Sequence, residues 1–220
     1  SETYKFRGPL YVVSKLKTSN GLGTVPDMYE LSYEYHGAKS HRSYGFLGFS
    51  KIVIKNPQLK TTETVEYEQV YPLVCRIKSR SVSPTTGAAP LATTQQSSLL
   101  SDYTMTWGVA SGTGPGGMPH NVRLNSETNI QFELGAAQAQ LSNTRISYSY
   151  DAYNNVLLQR TDWPGQIPTI TAEDITSTYD NIVTPTTWIL GLPKSTKVER
   201  FEPVAVPARV TQRQFNQTNG

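Results

Sequence analysis

The chain has 220 residues, a formal net charge of +3 and a single cysteine. One cysteine excludes an internal disulfide framework and a thiolate metal cluster. The basic residues are scattered rather than clustered in a stripe, so nucleic-acid binding is not expected, and no stretch approaches the roughly 18 apolar residues that a membrane span needs.

The composition is typical of an extracellular β-protein. Apolar residues make up 37% of the chain and charged residues 17%, and the 13 tyrosines outnumber the 6 phenylalanines. Tyrosine suits strand faces that are half wet, because its ring packs while its hydroxyl stays hydrated. The chain begins at Ser1 and ends in a polar run, so we expect it to be part of a longer protein whose export signal lies elsewhere.

Residues 1–80 are predicted to form antiparallel β-hairpins. The Asn20-Gly21 dipeptide is a strong hairpin signal. A later alternation places Val65 and Tyr67 on one strand face and the acidic residues on the other. The predicted strands cover residues 10–17, 29–35, 51–55 and 61–71.

The middle of the chain is less regular. Residues 81–101 contain Ser, Thr, Gln, Ala and Pro without periodicity, which predicts a loop or linker. Residues 102–145 are predicted to form a β segment with a glycine-rich insertion at 108–119. Only residues 136–141 favour a short helical turn, and so few residues do not make a stable helix.

Residues 146–220 are predicted to form further hairpins. The alternation at residues 146–150 is followed by an Asn154-Asn155 turn, and asparagine tolerates left-handed backbone. The alternation recurs at residues 175–179, which suggests a diverged repeat. The sequence therefore predicts an all-β fold of antiparallel strands and hairpins in a curved sheet with almost no helix, and a β-sandwich is the alternative.

One segment resembles a known repeat. Residues 147–156 read Ser-Tyr-Ser-Tyr-Asp-Ala-Tyr-Asn-Asn-Val. They are similar to the YD-repeat consensus, in which a tyrosine-aspartate pair, here Tyr150-Asp151, precedes an aromatic residue, a Gly-Asn turn and an apolar strand. Asn154 stands where that consensus has glycine.

Other residues extend the resemblance over most of the chain, and residues 81–145 match least. The chain resembles the region that precedes and enters the rearrangement-hotspot (RHS) repeats of Tc insecticidal-toxin B components and of proteins related to the virulence protein SpvB. The further residues that carry this likeness are Tyr33, Tyr35, Gly37, Gly45, Phe46, Leu47, Gly48, Phe49, Trp188 and Gly191.

The resemblance implies a structural role in a secreted or cell-surface bacterial toxin. In such toxins β-hairpins wind into a hollow shell that encloses a toxic carboxy-terminal domain. The expected partners of this segment are the remainder of the parent chain and other toxin-complex subunits. No catalytic residue, metal site or cofactor is expected within it, because catalysis in those proteins lies elsewhere.

A binding module is the alternative function. An autonomous β-sandwich could bind a glycan or a protein on a host or competitor surface through exposed aromatic rings. Trp163 lies in a predicted turn and Tyr153 follows the Tyr-Asp pair, so these two residues are the candidates for such a surface.

The sequence gives weaker support to a catalytic site or a metal site than to these two functions. Glu66 and Glu68 have the spacing of the paired carboxylates in arginine-specific ADP-ribosyltransferases, but alternate acidic residues are ordinary on exposed strands. His36 and His41 are five positions apart across a turn, and we expect them to be polar turn residues rather than ligands.

Overall fold

A computed structural model of the chain describes residues 2–19, 21, 28–85, 99–110, 121–133, 139–165, 171–184, 186, 188–201 and 211–214; at Trp188 and residues 211–214 it describes the backbone alone. These residues form antiparallel β-strands and no helix, so the predicted all-β fold is confirmed. Accordingly, no helix in this part of the chain could cross a membrane.

Fifteen strands are defined within the described residues. The strands of the first half of the chain are β1 (Thr3–Lys5), β2 (Lys15–Ser19), β3 (Met28–His36), β4 (Lys39–His41), β5 (Gly45–Phe46), β6 (Lys51–Asn56), β7 (Thr61–Tyr67), β8 (Ile77–Pro84) and β9 (Ser101–Ala110). The strands of the second half are β10 (Asn121–Phe132), β11 (Gln140–Tyr150), β12 (Val156–Asp162), β13 (Ala172–Val183), β14 (Trp188–Phe201) and β15 (Thr211–Gln214).

The chain divides into two compact units. Unit 1 comprises residues 1–104 and 130–141, and unit 2 comprises residues 105–129 and 142–220. In unit 1 a three-stranded sheet has the order β1-β4-β5, and the strands of the larger sheet follow the order β2-β3-β6-β7-β8-β9. In unit 2 the order is β11-β12-β13-β14-β15. Each larger run is therefore a meander, in which most strands pair with the next one along the chain.

The larger sheet of unit 1 has two chemically different faces. Cross-strand partners share a face, and the register pairs Tyr33 with Ile54 and Ile52 with Val65. We call this the apolar face. It also carries one ion pair, Glu63–Arg80. Its central apolar members are Leu16, Leu31, Tyr33, Tyr35, Ile52, Ile54, Val65 and Val82. The opposite, polar face carries Lys15, Lys17, Glu30, Glu34, Lys55, Thr62, Thr64, Ser81 and Ser83.

Aromatic rings link the small sheet of unit 1 to the apolar face. The Tyr35 ring lies 4.9 Å from that of Phe49, Phe49 lies 5.7 Å from Phe46, and Phe46 lies 5.2 Å from Phe6. The Tyr35 hydroxyl also donates to the Val13 carbonyl at 3.0 Å. These contacts place the small sheet over one end of the apolar face.

Unit 2 has ion pairs on both faces of its sheet. Arg160 of β12 pairs with Asp174 of β13 at 3.5 Å, and Glu173 pairs with Arg200 of β14 at 2.6 Å. Because Glu173 and Asp174 are neighbours in a strand, their side chains point to opposite faces. Ala172 is the one apolar side chain in the described part of unit 2 that is buried.

Several predicted boundaries differ in the structure. The segment 81–101, predicted as a linker, begins with four residues of β8, because Ser81 and Ser83 continue the alternation and pair with β7; residues 86–98 lie outside the described residues. β13 continues through Tyr179 and Asp180 to Val183, with register shifts against β14 on both sides of the pair, so the second Tyr-Asp pair lies in a strand. The helical turn considered for residues 136–141 and the insertion at 111–119 fall largely outside the described residues.

Candidate functional site

The turn between β11 and β12 is organised by the carboxylate of Asp151. Its Oδ1 accepts the backbone N–H groups of Tyr153 and Asn155, both at 2.8 Å. Its Oδ2 accepts the side-chain amides of Asn155 at 2.8 Å and Asn181 at 3.1 Å. Asn154 has a φ of 74°, which confirms the left-handed turn predicted at Asn154-Asn155.

Asn181 extends this arrangement to two more strands. Its Oδ1 accepts the Asn155 side-chain amide at 3.1 Å and the backbone N–H of Gly191 at 2.9 Å. Gly191 has a φ of 74°, and a Cβ there would lie 3.0 Å from Asn155 Oδ1, so the position requires glycine. We call Asp151, Asn155, Asn181 and Gly191 the Asp151 network; it joins the β11–β12 turn to β13 and β14.

The hydrogen bonds to Asp151 favour its ionised form. Burial alone raises the pKa of the carboxyl, but the donors of Asn155, Tyr153 and Asn181 outweigh burial and hold the pKa below its ordinary value. A carboxylate that accepts several N–H groups behaves in this way. Four donors also occupy most of its lone-pair sites, so the carboxylate acts as a structural acceptor rather than as an acid or base.

Tyr150, the other half of the Tyr-Asp pair, anchors the same turn from the side of β10. Its hydroxyl donates to the Leu124 carbonyl at 2.7 Å, and the Arg123 guanidinium carbon lies 5.2 Å from its ring centroid. Arg123 Nη2 donates to the Asp151 carbonyl at 3.1 Å. The two residues of the pair therefore have separate roles. The Tyr150 side chain contacts β10, and the Asp151 carboxylate binds Asn181 of β13.

Tyr148 makes a second contact with β10. Its hydroxyl donates to Glu127 Oε1 at 3.0 Å. Burial and the negative charge of Glu127 raise the pKa of Tyr148 to about 12. The phenol therefore stays neutral and keeps donating over the whole neutral range.

Unit 1 has a comparable polar anchor beside Gly37 and Gly48. The Gln69 side-chain amide donates to the carbonyls of Gly37 at 2.7 Å and Gly48 at 2.9 Å, and Gln69 is only 9% exposed. A Cβ on Gly37, at a φ of 66°, would overlap Ser50 Oγ, and a Cβ on Gly48, at a φ of 81°, would lie 3.2 Å from Cys75 Sγ. Both glycines are therefore needed where they stand.

The other motif residues of unit 1 also have structural roles. Leu47 is 2% exposed and forms part of the small core, while Phe46 and Phe49 lie in the chain of rings described above. Gly45 has a φ of 73°, but a Cβ there would meet nothing within 4 Å. Glycine is therefore favoured at position 45 by the left-handed backbone and not by lack of space.

The two aromatic residues predicted for surface binding do not form one platform. Tyr153 is 43% exposed and precedes β12, whereas Trp163 is half-buried and follows β12. A strand of seven residues separates its ends by about 23 Å at the usual rise. Trp188 belongs to β14, and its side chain lies outside the described residues.

The weaker candidates do not converge on a chemical site. A register shift between Glu66 and Tyr67 breaks the alternation that would align Glu66 with Glu68, and Ser79 Oγ donates to Glu66 Oε2 at 3.3 Å. His36 and His41 are the last residues of β3 and β4 rather than turn residues, and His41 Nδ1 accepts the N–H of Ser43, two residues further on, at 3.1 Å. Within the described residues, no group of three His, Cys, Asp or Glu side chains could hold a metal ion.

Sequence patterns missed two of the residues that matter most. Gln69 lies just past β7 and looks like an ordinary polar residue, although it bonds carbonyls 32 and 21 positions away. Asn181 lies inside β13, and no pattern among its neighbours marks it as part of the Asp151 network. The spacing of Asp151 and Asn155 across a turn was the available signal for the network.

Comparison with known proteins gives no assignment. No family model matches the chain, and no curated protein sequence matches it.

Proposed function

We propose that the chain is a non-catalytic structural segment of a large secreted or surface protein of the RHS type, and that it forms part of a β-shell enclosing or presenting a toxic carboxy-terminal domain. The observation that carries this proposal is the Asp151 network, because its hydrogen bonds connect the β11–β12 turn to β13 and β14. A repeat wall needs such links, since each hairpin gains its stability from its neighbours.

The distribution of polar groups in unit 2 supports a wall. Its ion pairs Arg160–Asp174 and Glu173–Arg200 lie on opposite faces of the sheet. Exposed ion pairs contribute little to stability, but they keep a face hydrated. A sheet that is wetted on both sides fits a shell with water inside and outside.

The small number of buried apolar residues is a second support. In the described part of the chain the buried apolar side chains are Leu47, Val65 and Ala172. A domain that folds alone normally relies on a larger apolar core, because apolar burial is the dominant favourable contribution to folding. A wall segment gains the remainder from strands on either side.

Imaging of the intact parent protein tests the proposal. Single-particle cryo-electron microscopy of the naturally produced protein that contains this sequence is expected to show a hollow particle whose wall includes β11 to β14. A parent without an internal cavity, or one in which these strands form a separate domain outside the wall, would overturn the proposal.

A glycan array tests the alternative function on the purified chain. The shell proposal predicts no saturable glycan binding that depends on Trp163 or Tyr153. Binding that is abolished by Trp163→Ala and retained in Tyr103→Phe, a conservative change in β9, would instead establish a binding module.

A further inference from the structure

The strand β2 forms an edge of the larger sheet of unit 1. It is the last strand in the order at that end, and all five of its residues are exposed. Edge strands present unpaired backbone groups that can accept another strand. The described residues show which groups β2 offers and which side chains flank them.

The hydrogen-bond pattern identifies the outward groups. The Tyr33 N–H donates to the Ser14 carbonyl at 2.9 Å, and the register continues with Lys15 opposite Ser32. Because hydrogen-bonded pairs alternate in an antiparallel ladder, the backbone groups of Lys15 and Lys17, like those of Ser19, point away from β3. In the described part of the chain these outward groups have no hydrogen-bond partner.

The side chains at this edge have an excess of positive charge on one face. Lys15 and Lys17 share the single carboxylate of Glu30, at 2.6 Å and 3.3 Å, and both lysine side chains are about half exposed. On the apolar face, Leu16 is 46% exposed and Tyr29 is 56% exposed. A matching strand would therefore place acidic residues beside the lysines and apolar residues beside Leu16.

We propose that β2 is an acceptor edge for one added strand that alternates acidic and apolar residues, and that this strand belongs to the same shell. That the added strand belongs to the same shell rests on the proposed function. The added strand would bond to the outward backbone of Lys15, Lys17 and Ser19, and its carboxylates would neutralise the unmatched lysine charge. Its apolar side chains would extend the apolar face beyond Leu16.

A second copy of the chain fits this edge poorly. Full antiparallel overlap of two β2 strands would place Lys17 opposite Lys17, and like charges directly opposite each other destabilise a sheet. Edge lysines are a common device against self-association. The edge therefore discourages self-pairing while it favours an acidic strand.

The test uses the purified 220-residue chain and a short, end-capped, fluorescein-labelled peptide that alternates Glu with Val. Fluorescence anisotropy is expected to show saturable binding, and the same peptide with Lys in place of Glu is expected not to bind. The double variant Lys15→Glu/Lys17→Glu should weaken binding of the Glu peptide about tenfold or more, since two favourable charge pairs become repulsive. It should also bind the Lys peptide better than the original chain does.

Three further variants separate strand addition from simple charge attraction. Lys17→Ala removes the charge and keeps the outward N–H, whereas Lys17→Pro removes both but no bond to β3. Lys17→Pro should therefore bind the peptide clearly more weakly than Lys17→Ala if the peptide joins the sheet. Lys78→Glu changes the same charge on β8, which is paired to β7, and should leave binding unchanged. Equal binding by the Lys17→Pro and Lys17→Ala chains, or a loss in Lys78→Glu equal to that in the double variant, would overturn the proposed edge.

The parent protein distinguishes this proposal from the proposed function. If the imaged shell shows an acidic strand beside β2, both stand. If the parent is a shell and another element covers β2, the edge proposal fails alone. If the peptide results hold and the parent has no shell, the acceptor edge remains, but the added strand comes from a separate protein and the shell proposal fails.

Discussion

Units 1 and 2 build similar meanders with different interactions. In unit 1 one face of the sheet is apolar and partly covered by aromatic rings, and Leu47 and Val65 are buried. In unit 2 ion pairs occupy both faces, and the Asp151 network joins the strand ends. The comparison shows that apolar burial and directed hydrogen bonds can each hold a sheet of the same connectivity.

The two kinds of interaction specify different things. Apolar burial is non-directional and scales with the area removed from water, so it selects a face but not a unique neighbour. The Asp151 network is directional, and register shifts occur beside it at Ser149/Tyr150, Thr178/Tyr179 and Asp180/Ile182. Side-chain hydrogen bonds can therefore fix a register that an irregular ladder alone would leave loose.

The largest effect is expected at Gln69, a buried side chain of unit 1 whose amide donates to the carbonyls of Gly37 and Gly48. Gln69→Glu replaces a donor to two carbonyls with a carboxylate that faces them. Burying an unpaired charge or polar group is expensive, so the free energy of unfolding should fall by about 3 kcal/mol or more. Urea denaturation monitored by tyrosine fluorescence would measure the loss.

An uncharged control sharpens this prediction. Gln69→Met keeps the length of the side chain and introduces no charge, so it should cost clearly less than Gln69→Glu. Equal losses in the two variants would mean that packing, not the amide donor, is what Gln69 contributes to unit 1.

The second effect is expected in unit 2, at Asp151. Asp151→Asn keeps the shape but turns one acceptor oxygen into a donor facing other N–H groups, so it should lower the free energy of unfolding by about 2 kcal/mol. Asp180→Asn is the matched control, because Asp180 follows a tyrosine in the same way but, among the described residues, its carboxylate makes an exposed ion pair with Lys194 at 3.1 Å. Its cost should stay within about 0.5 kcal/mol.

The pH dependence of the Asp151→Asn effect has a defined sign. The pKa of Asp151 is lower in the folded chain than the ordinary 3.8, so its contribution is present above that pH and is lost as the pH falls through the folded value. The stability gap between the original chain and Asp151→Asn should therefore be constant near neutrality and should narrow below pH 3.8. A gap that does not change in acid would exclude the carboxylate as the source.

The features that sequence predicted are the local ones. The alternation of apolar and polar residues indicated β6 closely and the start of β7, although β7 ends at Tyr67 and not at the predicted residue 71. The Asn154-Asn155 pair indicated the left-handed turn that the structure shows. Both depend on neighbours within a few positions. Gln69 and Asn181 could not be assigned in this way, because their partners lie 10 to 32 positions away and the register decides which groups meet.

The same limit applies to the second Tyr-Asp pair. Tyr179-Asp180 has the composition of the first pair, but β13 continues through it because β14 offers a long partner, with Asp180 opposite Leu192 and Ile182 opposite Ile189. Tertiary pairing overrode the local turn preference, as it often does. The two Tyr-Asp pairs are therefore visible in the sequence, whereas their different structural roles are not.

The smallest effect is the difference between Gly37→Ala and Gly45→Ala in unit 1, which separates the cost of backbone strain from the cost of crowding. Gly37 and Gly45 have similar φ values, 66° and 73°, but a Cβ would overlap Ser50 Oγ at Gly37 and would meet nothing within 4 Å at Gly45. Each substitution to alanine carries the strain of left-handed backbone, about 1 kcal/mol, and Gly37→Ala should cost about 1 kcal/mol more for displacing Ser50. Urea denaturation of both variants and of Gly37→Ala/Ser50→Gly would measure the difference. In the variant without the Ser50 side chain, Gly37→Ala should lower the free energy of unfolding no more than Gly45→Ala does. A persistent difference would mean that the Gln69 hydrogen bond to Gly37, and not crowding by Ser50, causes the additional loss.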